Sequence, residues 1–196
     1  MTTVQRPGRD ASRWLSSYYF LRAGVSVGWV AAAFTIGNAV TPAAAALVVA
    51  YPAWDAVANV IDARRSGGLA ANPSQALNVA ASTVVAVAIA VALGWGMHAV
   101  LTVFGVWAIL SGLLQLATGV RRWQAGAQWA MALSGAQSAL AGTHFIFKAN
   151  GALTPGITDI APYAAFGAVY FLVSAVWLTV VCRAVTKPST GASAGC

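Results

Sequence analysis

Of the 196 residues, 59% are apolar and 8% charged, against roughly 25% charged residues in an ordinary soluble domain, so a water-soluble globular fold is excluded and a membrane protein is expected. The net charge of +7 would suggest a nucleic-acid partner in a soluble protein. Here the basic residues fall in short connections between apolar runs, where they read as topology signals, and no nucleic acid is expected.

A bilayer core needs about 20 residues per helix, which limits the chain to about six or seven spans and leaves no room for a soluble domain. Residues 1–13 form a polar, basic tail ahead of an apolar run from Trp14 to Ile36. That run is longer than a signal-peptide core and contains Arg22, so it reads as an uncleaved first span. Thr41-Pro42 and Asn72-Pro73 each set a capping residue before a proline at the first helical position, opening span two over 42–63 and span three over 73–93. Gly94-Trp95-Gly96 is a turn, span four covers 97–120 and span five 126–147. A loop over 148–161 leads to span six over 162–183, and residues 185–196 read as a disordered tail. The expected fold is all-α and polytopic, a six-span bundle over 14–184.

Arg6, Arg9, Arg13, Arg64, Arg65, Arg121, Arg122, Arg183 and Lys187 flank one side of this bundle and only Lys148 the other, which places both termini in the cytoplasm. The spans read as three parallel-repeated hairpins of about 50 to 60 residues, each pairing an alanine- and serine-rich helix with an aromatic-rich one. Tyr51-Pro52-Ala53-Trp54 matches Phe104-Gly105-Val106-Trp107 at an offset of 53, whereas Arg64-Arg65 matches Arg121-Arg122 at 57. The mismatch is about one helical turn.

Three short hairpins with both ends inside, and an Arg-x-Gly near the start of a span followed by another glycine, here Arg22-Ala23-Gly24 and Gly28, resemble the HdeD-like family of bacterial membrane proteins, built from a short repeat of unknown function. The resemblance covers residues 16–183. It implies a bacterial inner-membrane location and, because the name-giving member is linked to acid resistance, a structural or stress-related role in the membrane. It brings no catalytic residues with it.

Span two departs from the family's mostly uncharged spans. Asp55, Asn59 and Asp62 are four and three residues apart, so a helix sets all three on one face. Arg22 and Asp55 lie about 9 and 13 Å inside adjacent spans, counting about 1.5 Å per residue. An unpaired charge there costs about 2.5 to 3.5 kcal/mol or more, so an ion pair completed by Asn59 is the economical reading. A proton, ion or solute path along the Asp55/Asn59/Asp62 face is the alternative. Pro52 leaves the Val48 carbonyl without its helical donor and is expected to kink the span. Span four carries its own stripe at Ser111, Gln115, Thr118 and Arg122.

Gly24 and Gly28 form a GxxxG, and Ser134, Ser138 and Gly142 a second small-residue row. Both permit close contact, within the monomer or between copies. His98, His144 and Asp159 fall near the external ends of their elements beside Lys148, where they are candidates for sensing external acid or simple interface residues. Two histidines without a third ligand make a poor metal site, and Cys182 and Cys196 supply neither a disulfide framework nor a zinc spacing. Gly94-Trp95-Gly96-Met97-His98-Ala99 satisfies a loose dinucleotide pattern but sits in a turn between spans. Neither an enzyme nor a cofactor is expected, and the expected partner is the lipid bilayer.

Overall fold

The computed structural model describes residues 9–36, 41–121 and 129–184. The remainder of both tails and the connection holding Arg122 and Trp123 lie outside the described residues, as do the side chains of Thr118 and Arg121. Among the described residues there are six α-helices and no strand: α1 (Arg9–Ile36), α2 (Pro42–Arg65), α3 (Pro73–Ala92), α4 (Met97–Arg121), α5 (Trp129–Ala149) and α6 (Ala161–Ala184). Five helical stretches, 13–36, 42–65, 73–95, 97–117 and 161–180, are long and apolar enough to cross a membrane. The first helix starts at Arg9, ahead of the expected Trp14, because nothing between them interrupts it.

Helix ends follow local chemistry, with one exception. The Thr41 hydroxyl accepts the Ala44 N–H at 3.1 Å and caps α2 as expected. Asn72 does not cap α3. Its side-chain amide instead donates to the Ser66 and Gly68 carbonyls at 2.7 and 2.8 Å. The reason is the turn before it: α2 closes with the Gly68 N–H on the Ala63 carbonyl at 2.7 Å and Gly67 at φ +96°, and the exposed carbonyls of that turn are nearer than the helix start.

The chain divides into two compact units, residues 1–28 with 164–196 and residues 29–163. In the first, α1 and α6 run antiparallel. Ser16 donates to the Ala175 carbonyl at 3.0 Å and its hydroxyl meets that of Thr179 at 2.6 Å, while further along α1 the Tyr19 ring stacks on Phe171. Gly24 and Gly28 are exposed, and a Cβ added to either would meet nothing within 4 Å. Among the described residues, then, neither glycine is the point of a close contact within the monomer. The small residues that do pack α1 are Ala23 and Ser26, one and two positions away on the other side of the helix.

In the second unit the intimate pairings are α2 with α3 and α4 with α5, while α3 and α4 touch over a shorter stretch. The α4–α5 contact is backbone on backbone. A Cβ on Gly112 would lie 2.5 Å from the Gly135 carbonyl oxygen, and one on Gly142 would lie 2.5 Å from that of Gly105. Each step of seven residues up α4 is matched by a step of seven back along α5, and the next step brings His98 Nδ1 to the Ala149 carbonyl at 2.9 Å. A seven-residue contact period is that of left-handed, nearly antiparallel helices. The expected row on α5 is thus real at Gly142, and Gly135, which was not part of it, makes the same kind of contact.

Pro52 sits inside α2, buried. Near the break that it makes in the helical ladder, the Trp29 indole donates to the Leu47 carbonyl at 2.8 Å, and its ring tilts against Tyr51. The Tyr51 and Phe104 rings, matched in the repeat, lie against each other with centroids 6.4 Å apart.

Candidate functional site

The polar face of α2 meets α3. Asp55 Oδ2 accepts from Ser82 Oγ at 2.7 Å and from Asn59 Nδ2 at 3.1 Å, and the same Asn59 amide reaches the Asp55 carbonyl at 2.8 Å. One heptad along α2, Asp62 Oδ2 accepts from Gln75 Nε2 at 3.0 Å. Asp55 and Asp62 are seven apart, as are Ser82 and Gln75, so antiparallel packing pairs acid with neutral donor twice. Asn59 and Ser82 are 7% and 2% exposed. Charge-assisted hydrogen bonds of this kind are the strong ones, and burial away from water makes them stronger.

In the first turn of α6, the part of that helix that belongs to the same unit, stands Tyr163. Its ring meets Phe145 edge-on at 5.9 Å. It turns inward because α6 begins only after a buried stretch, Pro155 to Ile157, has carried the chain back into the unit. The buried indole nitrogen of Trp54 makes no hydrogen bond among the described residues.

The other candidates lie each in its own unit. Arg22 belongs to the first unit, where its guanidinium lies 4.2 Å from the Phe171 ring centroid and 5.8 Å from that of Tyr18, with Nη1 3.4 Å from the Tyr18 hydroxyl. A cation over aromatic faces away from water is held more tightly than at an exposed site. Ser111 is half-buried on α4, and the exposed Gln115 takes only a long 3.4 Å bond from Ser134. His144 is exposed, whereas His98 is half-buried and its Nδ1 must carry the proton that the Ala149 carbonyl accepts. Lys148 and Asp159 form an ion pair, so Lys148 is not a free positive charge awaiting histidine protonation. Among the described residues no group of three or more His, Cys, Asp or Glu is placed to hold a metal ion.

Sequence reasoning found the acids and Asn59 but missed Ser82, Gln75, Tyr163 and the glycines of α4. A signal for Ser82 and Gln75 was available. They repeat the seven-residue interval of the two aspartates on the next span, which an antiparallel pairing would have matched.

These features define an all-helical membrane protein with a hydrogen-bonded polar seam between two of its helices. Residues 80–147 match the family model described as a short repeat of unknown function (DUF308). The matched stretch runs from the middle of α3 through α4 to the end of α5, so it contains Ser82 and the four seam glycines but not Asp55. No curated protein and no solved structure matches the chain.

Proposed function

We infer that the chain is a six-span protein of the bacterial inner membrane, three hairpins with both termini in the cytoplasm, akin to the HdeD-like group, whose role is structural or stress-related and not enzymatic. Lipid is its main partner, and a second copy docking on Gly24 and Gly28 would fit their exposure. The observation that carries the structural reading is the α2–α3 seam: Ser82 donates to Asp55 and Gln75 to Asp62 at a repeated register, an arrangement that locks two helices together. A buried polar network whose members are bonded to one another fixes register and rigidifies its surroundings.

A second reading is a small carrier or channel for protons, ions or a solute along Asp55, Asn59 and Asp62. It is favoured by the two carboxylates that stand seven residues apart on one face of a helix long and apolar enough to cross a membrane. Asp55→Asn separates the two. A structural seam predicts a less stable protein, with no change in ion or proton leak in reconstituted vesicles. A carrier predicts a folded protein whose flux is lost. Stable Asp55→Asn protein with unchanged leak to protons and common cations would remove both roles from Asp55.

A further inference from the structure

The three most exposed large apolar side chains among the described residues are Leu153 at 82%, Phe147 at 79% and Trp95 at 74%, and all belong to the second unit. Trp95 closes a stretch, 73–95, long and apolar enough to cross a membrane, so by length it stands at the boundary of the hydrocarbon core. Three residues on, His98 bonds to the Ala149 carbonyl at 2.9 Å, which sets the end of α5 at the same level. Leu133, Leu140 and Phe147, seven apart, form an exposed apolar row on α5 that rises to this end, and Leu153 follows on the exposed stretch 150–154.

Both sides of that stretch are pinned, which holds Leu153 outward. Before it, the Asn150 side chain donates to the Ile146 carbonyl at 2.7 Å and the Gly151 N–H to the Lys148 carbonyl at 3.1 Å. After it, Pro155 and Ile157 are buried, and Asp159 pairs with Lys148 while accepting the Gly156 N–H at 2.8 Å. A leucine this exposed gains by leaving water, and tryptophan settles at the headgroup level.

We propose that the tip of the α5–α6 connection, residues 151–154, is a lipid anchor: Leu153 dips into the boundary between headgroups and acyl chains of the bilayer, alongside Trp95 and Phe147. The occupant is phospholipid, because the surface continues the exposed row of α5, and Lys148, the charged residue between Phe147 and Leu153, is neutralised by Asp159. His144, exposed one turn below Phe147, carries a polar ring edge that turns toward the headgroups. The anchor sets the depth at which this end of the unit rides in the membrane. Because it takes α5 as a span, the proposal rests on the six-span reading above.

The test uses the full chain with Cys182→Ser and Cys196→Ser in phosphatidylcholine vesicles. A nitrobenzoxadiazole probe is attached to a single cysteine introduced as Leu153→Cys, as Ser66→Cys in the exposed α2–α3 turn, or as Leu140→Cys. Quenching is measured with iodide on both faces and with lipids carrying a nitroxide at the headgroup or deep in the acyl chain. Iodide quenches the Leu153 probe about fivefold less than the Ser66 probe, and the shallow nitroxide outdoes the deep one, as for a side chain sunk about 5 to 10 Å. With the probe moved to Thr154→Cys, adding Leu153→Asn raises iodide quenching about threefold, since the tip loses its apolar hold. Iodide quenching at Leu153 equal to that at Ser66 would put the tip in water. A Leu153 probe shielded from iodide and from both nitroxides would put it under protein, a second copy included. Either result, or a Thr154 probe that ignores Leu153→Asn, overturns the anchor. The Leu140 probe reports on the span separately, and iodide reaching it sinks the six-span reading alone.

Discussion

The two helix pairs of the second unit share a geometry and differ in chemistry. Both are antiparallel with contacts every seven residues, but α2–α3 meets through carboxylates and neutral donors, and α4–α5 through bare backbone. Aligning Arg64-Arg65 with Arg121-Arg122 sets Asp55 on Gly112 and Val48 on Gly105; a shift of 53 sets Ser82 on Gly135 and Ile89 on Gly142. The polar bond of one pair thus occupies the place of the glycine contact in the other. The aromatic match at 53 is one turn off this register, which is why Tyr51 and Phe104 touch and are not equivalent. The comparison teaches that one backbone arrangement is held in two ways. Where side chains are removed, close approach supplies dispersion and sterics decide the register. Where they are kept, hydrogen bonds decide it and leave ionisable groups inside the membrane.

The comparison breaks most visibly at the glycines. Gly112→Ala puts a methyl group 2.5 Å from backbone atoms that cannot move independently, and a loss of about 3 kcal/mol or more is expected in thermal or denaturant unfolding of the purified protein. In the polar seam Asp55→Ala strands the donors of Ser82 and Asn59, with an expected loss of about 2 to 3 kcal/mol. Adding Ser82→Ala to Asp55→Ala should cost less than the two single losses together, and a strictly additive double-mutant cycle would show that the bond contributes nothing. Gln75→Leu removes a single donor from Asp62 near the helix ends, and about 0.5 to 1 kcal/mol is expected by the same measurement. The smallest effect belongs to Gly24→Ala, which meets open space. It should be neutral, or stabilise α1 by up to about 1 kcal/mol through helix propensity. A large loss there, accompanied by a change in oligomeric state, would show that the exposed glycine face is covered by a second copy.

Much of the architecture was legible in the chain. Apolar runs of span length, Thr41-Pro42, the break at Gly94 to Gly96 and the paired arginines each act locally, through burial, capping or backbone freedom, and the helices appear where they point. Gly96, at φ +89°, marks the turn between α3 and α4 for that reason. The candidate site was half legible. Asp55, Asn59 and Asp62 announce themselves because charge and amide in an apolar run are costly, and Asn59 serves Asp55 as expected.

What the sequence by itself determined is therefore the class of protein, the helices and the polar face of α2, all consequences of interactions within about one turn of chain. What only the tertiary structure decided is which helix meets that face, and hence that Ser82 and Gln75 are its donors. It also decided which glycines are contacts and which are open, and that Tyr163 points inward behind a buried connection. Serine, glycine and tyrosine occur throughout apolar helices at little local cost, so no local property of the chain singles them out, and only the seven-residue interval that Ser82 and Gln75 share with the two aspartates hints at that pair. They acquire a role only when the register between two distant helices brings a partner within 3 Å, and that register is set by packing over the whole length of the contact.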